Sequence, residues 1–128
     1  MTEQQPHDPS QWLKRALSSL AKARQRAPEI LFEDLCFDAQ QAAEKAIKAM
    51  LINRRADFPY THNLSELLTL LEKTGCPVPD SIKQAEVLTD YAVGTRYPGV
   101  AEPVTEREYE EAIALAQRVI DWAKQQIK

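Results

Sequence analysis

Ala39-Gln40-Gln41-Ala42-Ala43-Glu44-Lys45-Ala46-Ile47-Lys48-Ala49 decides the architecture of this chain. It lies within a longer apolar stripe of Phe32, Leu35, Cys36, Ala39, Ala43, Ala46, Ile47, Met50 and Leu51. The alternation of three- and four-residue steps over several turns predicts an amphipathic helix. Because five of the six apolar residues between Ala39 and Ala49 are alanine, a second helix can approach its backbone closely there. Two polar ladders run through the same stretch at i, i+4 spacing: Gln40, Glu44 and Lys48, and Gln41 with Lys45. On a solvated face, Glu44 followed by Lys48 is the favourable order, worth ~0.3–0.5 kcal/mol. The flanking alanines allow a second reading, in which the helix packs on both sides and its polar groups line a groove.

Outward from this helix the periodicity stays helical, and no segment alternates like a strand. A first helix is predicted from Asp8-Pro9, with Gln11 placed to complete a capping box and an apolar stripe of Trp12, Ala16, Leu17, Leu20 and Ala23. Pro28 closes it or opens the second helix, which ends near Asn53-Arg54-Arg55, where cations suit the negative helix end. Asn63 with Glu66 is set to cap a third helix burying Leu64, Leu67, Leu68 and Leu71 and stopping at Gly75. A fourth is expected over about Asp80 to Ala92 on Ile82, Ala85, Leu88 and Tyr91. After a loop from Gly94 to Val104, Thr105 and Glu108 cap a fifth, with a stripe of Tyr109, Ala112, Ile113, Ala116, Ile120, Ala123 and Ile127. Five helices with mostly short links predict an all-α antiparallel, up-and-down bundle over residues 10–128, behind a polar tail at 1–9.

Length and composition agree: 128 residues suit one domain, 44% hydrophobic and 27% charged content is ordinary for a globular protein, and three glycines disfavour a turn-rich β fold. No apolar run approaches the ~20 residues of a membrane span, and the polar start does not read as a signal peptide. A cytoplasmic protein with no membrane association is the expectation. Cys36 falls on the core stripe and Cys76 in a turn, without metal-ligand spacing, so neither a disulfide nor a metal is expected. The net charge of −3 argues against a nonspecific nucleic-acid coat. The charge is uneven, however: residues 1–64 carry nine Lys/Arg against eight Asp/Glu, and residues 65–128 seven against eleven.

Thr95-Arg96-Tyr97-Pro98 is the most suggestive loop segment. The Arg96 guanidinium can grip a phosphate in two-pronged fashion, Tyr97 offers a ring for a base to stack on, and Pro98 stiffens the backbone. The plainer role for Arg96 is to pair with a carboxylate such as Glu44 and pin the loop. His62 can move a proton near neutral pH; its plainer role is a cap or hydrogen-bonding group at the start of the third helix. Trp12 and Trp122 read as core or interface anchors. No glycine-rich phosphate loop and no Ser/His/Asp arrangement is present, and no cofactor is implied.

The alanine-rich helix, His62-Asn63-Leu64 and Thr95-Arg96-Tyr97-Pro98, in that order, resemble the HEPN family (higher eukaryotes and prokaryotes nucleotide-binding) over roughly residues 10 to 127. The resemblance implies a nucleotide- or RNA-associated helical module, commonly dimeric and often paired with a small nucleotidyltransferase in a toxin–antitoxin-like operon. Ligand contacts are then expected from Arg96 and Tyr97, assisted by Lys45, Lys48 and Glu44. Catalytic HEPN ribonucleases carry an Arg followed after four to six residues by His, and act without a metal. Here Arg96 is followed by Tyr-Pro-Gly-Val-Ala-Glu and no histidine. Arg55 and His62 have six residues between them but lie elsewhere in the chain. A binding module is thus expected first, and an endoribonuclease using His62 with Arg55 or Arg96 second. A structural helical dimer is third. A homodimer is also expected because the alanine-rich second helix looks too long to be covered within one chain.

Overall fold

A computed structural model of the chain describes residues 8–92 and 103–127. Helix α1 spans Pro9–Ala23, α2 Phe32–Asn53, α3 Leu64–Lys73, α4 Asp80–Lys83, α5 Thr89–Ala92 and α6 Glu106–Gln126, with a 3-10 turn at Gln84–Leu88 joining α4 to α5. No strand occurs among the described residues. The single fourth helix expected from the sequence is therefore segmented, and Ile82, Ala85 and Leu88 are its buried residues.

The caps are local and mostly where the sequence placed them. Asp8 accepts from the Ser10 amide at 2.9 Å, with Pro9 in the first turn of α1. Asn63 accepts from the Glu66 amide at 3.1 Å, but the Glu66 carboxylate turns to the Thr61 hydroxyl instead of closing a capping box. That box is complete at α6, where Thr105 and Glu108 exchange side-chain and backbone hydrogen bonds. Gly75, at φ +93°, takes the left-handed turn that ends α3.

Helix α2 is the axis of the fold. It packs against α1, α3, α5 and α6, and from Leu35 to Leu51 it is buried on nearly every side. All nine predicted stripe residues except Phe32 are buried, and so are Ala42, Ala49, Gln40, Glu44 and Lys48. The solvated-face reading of the Gln40–Glu44–Lys48 ladder is thereby replaced by a buried one. The packing reason for a dimer also falls, because one chain covers α2 by itself. Large apolar side chains remain exposed at Ile30 and Leu31 in the α1–α2 connection and at Phe37 in the second turn of α2.

Helix α1 runs antiparallel to α2, since Trp12 meets Lys48, Ser19 meets Lys45 and Lys22 meets Asp38 in reverse order. Helix α6 is tied to the end of α1 by the buried Tyr109 hydroxyl, which donates to the Ala23 carbonyl at 2.7 Å. Phe32 stacks on Tyr109 with ring centroids 5.1 Å apart, and Arg26 lies over both rings. At the far end, Arg54 bonds the Thr74 hydroxyl and carbonyl, locking the end of α2 to the end of α3. The intervening connection runs back along α2, bringing His62 level with Gln40 and Glu44. No described helix is long and apolar enough to cross a membrane.

Close approach to α2 depends on its small residues. Ala43→Leu adds volume where exposure is 0%; overpacking of this kind costs ~1–3 kcal/mol, expected as a lowered urea midpoint with unchanged helical circular dichroism before the transition.

Candidate functional site

Gln40, Glu44 and Lys48 lie one turn apart, so their side chains share a face of α2. Glu44 is at its centre and is only 3% exposed. Its Oε2 accepts from Lys48 Nζ at 2.8 Å; its Oε1 accepts from Gln40 Nε2 at 3.0 Å and lies 2.8 Å from His62 Nδ1. Gln40 also donates to the His62 carbonyl at 3.1 Å and accepts from Gln41 at 2.7 Å. Among the described residues no buried side-chain nitrogen or oxygen lacks a partner. A buried carboxylate demands this satisfaction, since an unpaired charge in the interior is very costly.

Burial pushes the Glu44 carboxyl up, but hydrogen bonds from Lys48, Gln40 and His62, together with the Lys48 charge, hold it below the usual value near 4.5. Ionised Glu44 can only accept, so His62 Nδ1 must carry the proton. Nε2 of the neutral ring is then left as the acceptor, on a side chain that is 38% exposed. Glu44 thus fixes both the tautomer and the orientation of His62, as a carboxylate behind a histidine does in acid–base sites.

Lys48 spends its charge inward, on Glu44 and on two rings: Nζ is 5.8 Å from the Trp12 centroid and 5.7 Å from that of Phe58. Lys45 differs. It donates to the Ser19 hydroxyl at 2.9 Å, and burial first, then the Lys22 charge, lower its pKa. Trp12, Lys45, Lys48, Phe58, Pro59, Tyr60 and His62 line a cavity of about 360 Å³ with Glu44 in its wall. Tyr60 stands at the rim, 90% exposed, its ring edge-on to His62 at 5.3 Å.

The cavity brings together Glu44, Lys45, Lys48 and His62 of the residues singled out in the sequence. Arg96 and Tyr97 lie outside the described residues. Arg55, at φ +57°, lines a different cavity with Pro9, Ile52, Asn53, Ala56 and Asp57 and does not line the one at His62. The carboxylate suggested as an anchor for Arg96 is occupied by Lys48, Gln40 and His62. His62 is tied to α2 through its carbonyl, which accepts from Gln40, and its ring, which bonds Glu44, so the hydrogen-bonding role expected of it ahead of α3 is joined to a place in the cavity. Phe58, Pro59 and Tyr60 are site residues that sequence reasoning misses, and Trp12, expected as a core or interface anchor, also lines the cavity. The run Phe58-Pro59-Tyr60-Thr61-His62, with two rings and an imidazole within five residues, is the available signal.

These features define an all-α bundle with a buried acid–lysine–histidine cluster beneath a ring-lined cavity. The HEPN domain model matches residues 9–126, and the chain belongs to the HEPN domain family, a nucleotide- or RNA-related class of helical modules. It is similar to ST0689, an archaeal HEPN homologue, with 33% identity and a TM-score of 0.77 over 94% of this chain and 98% of that one. It is also similar to TT1696 from Thermus thermophilus, with 31% identity and a TM-score of 0.74 over 91% and 96% of the two chains. No curated protein matches the chain.

Glu44→Leu leaves Lys48 buried without its counter-charge, and the expected cost is ~3–5 kcal/mol. Adding Lys48→Met should restore much of it, since an apolar pair needs no compensation. The folded-state pKa of Glu44 is depressed, so its contribution is complete above about pH 4.5 and is lost as pH falls through the lower folded value. Urea titrations between pH 7 and pH 3 check both points: the double variant should lack this part of the acid limb.

Proposed function

We propose that the chain is a nucleotide- or RNA-binding helical module, the HEPN partner of a minimal nucleotidyltransferase in a toxin–antitoxin-like pair. One observation carries the binding reading: a single cavity combines aromatic surface from Trp12, Phe58 and Tyr60 with the cation Lys45. Rings suit a base, and an ammonium whose burial disfavours its charge gains from a phosphate beside it. Arg96 and Tyr97, a guanidinium and a ring adjacent in sequence, are further candidate ligand contacts on the family resemblance. The nucleotidyltransferase partner rests on the family resemblance; a small nucleotidyltransferase encoded beside this chain would support it. The module acts as a homodimer through the apolar surface of Ile30, Leu31 and Phe37.

A second reading has its own support. With Nδ1 held by Glu44, His62 can accept a proton at Nε2, as a metal-independent endoribonuclease requires. The binding reading ranks above it because Arg55 faces another cavity and no histidine follows Arg96.

Three measurements test the proposal. Calorimetric titration with a nucleoside triphosphate should show weak binding, reduced about tenfold or more by Arg96→Ala or Lys45→Met, the loss expected for one charge-assisted contact. Unchanged affinity in a variant removes that residue from the site. Sedimentation should give twice the 14.5 kDa chain mass at micromolar concentration; a single monomeric species contradicts the dimer. Purified protein incubated with single-stranded and structured RNA should leave both intact. Metal-independent cleavage that His62→Ala abolishes would put the ribonuclease reading first.

A further inference from the structure

Between Asp8 and Glu29 the chain has five cations and no acid: Lys14, Arg15, Lys22, Arg24 and Arg26. In a protein of net charge −3 this is a strong local excess. Two of the five are committed to α6, Arg24 bonding Gln117 at 2.6 Å and Arg26 bonding Glu106 at 2.9 Å. The remainder belong to α1, whose face along Trp12, Arg15, Ser19 and Lys22 follows three- and four-residue steps and therefore points one way.

This face leads out of the cavity. Trp12 lines the cavity at one end, Ser19 receives Lys45 from α2 in the middle, and Lys22 stands at the other end. The acids packed against the row are Asp38 and Glu44, and both are engaged. Asp38 lies 3.5 Å from Lys22, and Glu44 accepts from Lys48, Gln40 and His62. Among the described residues, Arg15 makes no ion pair, and Lys45 bonds only a neutral hydroxyl. The cations are also close enough for Lys22 and Arg15 each to disfavour the charge on Lys45, while Glu44 and Asp38 favour it and burial tips the balance downward. Arg15 and Lys22 are exposed; seven helical residues place them about 10 Å apart along α1.

From this arrangement we infer that the ligand is a single-stranded polynucleotide rather than a free nucleotide: one base enters the Trp12–Phe58–Tyr60 cavity, and successive phosphates run along Arg15, Lys45 and Lys22 in the α1–α2 seam. The inference rests on the cavity being the ligand site, as proposed above. A row of cations answers a row of phosphates, whereas a mononucleotide would reach neither Arg15 nor Lys22, leaving Lys22 with Asp38 alone. The exposed Tyr60 ring favours a nucleic acid over an acidic peptide, which has no base to stack there.

The test compares a single-stranded RNA hexanucleotide with its mononucleotide, by fluorescence anisotropy and calorimetry across a range of salt concentrations. The hexamer should bind at least tenfold tighter at low salt. Arg15→Ala/Lys22→Ala replaces two exposed side chains, and circular dichroism verifies that the fold is kept. It should make the hexamer's log K against log salt shallower by about 1.4, at about 0.7 per phosphate contact, and leave mononucleotide affinity unchanged. Tyr60→Ala should weaken both ligands. Equal affinity for the two ligands, or an unaltered salt slope in the double variant, overturns the strand path while leaving the cavity reading in place. Mononucleotide and hexamer affinities both indifferent to Tyr60→Ala overturn the cavity reading itself. A polyglutamate peptide binding as tightly as the hexamer, with the same dependence on Arg15 and Lys22, shows an acidic-peptide surface instead and also overturns the inference.

Discussion

Glu44 is a carboxylate that the packing of α2 removes from water, and the structure around it follows from satisfying that charge. Lys48 supplies the counter-charge from the next turn, Gln40 a donor from the preceding turn, and His62 a donor from a different segment. The last of these requires the chain after Arg55 to run back along α2 before α3 begins. Gln40 secures that return a second time by donating to the His62 carbonyl. A buried ion pair contributes little stability relative to an apolar replacement, because desolvation offsets most of its attraction. Its consequence here is positional: it fixes where His62 and the aromatic run before it lie.

The cavity is a by-product of the same constraint. Holding His62 against Glu44 sets Phe58 and Tyr60 over the α1–α2 seam, where Trp12 and Lys48 already meet. Lys48 is neutralised on its inner side, so its charge is largely unavailable to a ligand. Lys45 is one residue beyond Glu44 and about 100° round the helix, which takes it out of the cluster and toward α1. There it donates to a neutral hydroxyl, and burial together with the Lys22 and Arg15 charges outweighs the favourable charges of Glu44 and Asp38. That is an unfavourable place to keep a lysine charged, and an anion would relieve it. The folded-state pKa of Lys45 is depressed, so protonated Lys45 opposes folding at neutral pH, and this opposition fades as pH rises through the folded value toward 10.5.

Much of the fold could be read from residue spacing because helical periodicity is a local property. The stripes of α2, α3 and α6, the cap at Asn63 and the capping box at Thr105 all depend on residues within a few positions of each other. Two features escape such a reading because they depend on distant residues. Whether the Gln40–Glu44–Lys48 ladder faces water or protein is decided by α1 and by the return of residues 54–63, neither of which leaves a mark on the ladder itself. The segmentation of Asp80–Ala92 likewise reflects packing against α2 and α6, including the Arg118 bond to the Ser81 carbonyl at 2.9 Å. The site residues Glu44, Lys45, Lys48 and His62 are recognisable by type, but their grouping is not. Phe58 and Tyr60 become visible only once the loop's path is known.

The central claim is that ionised Glu44 holds His62 through Nδ1–H. Long-range proton–nitrogen NMR on histidine-labelled protein reads this directly, and the chain's two histidines, His7 and His62, keep the spectrum simple. At a pH where the ring is neutral, His62 should show its proton on Nδ1 with Nε2 unprotonated, and Glu44→Leu should abolish that preference. A neutral His62 carrying its proton on Nε2, unchanged by Glu44→Leu, would contradict the account.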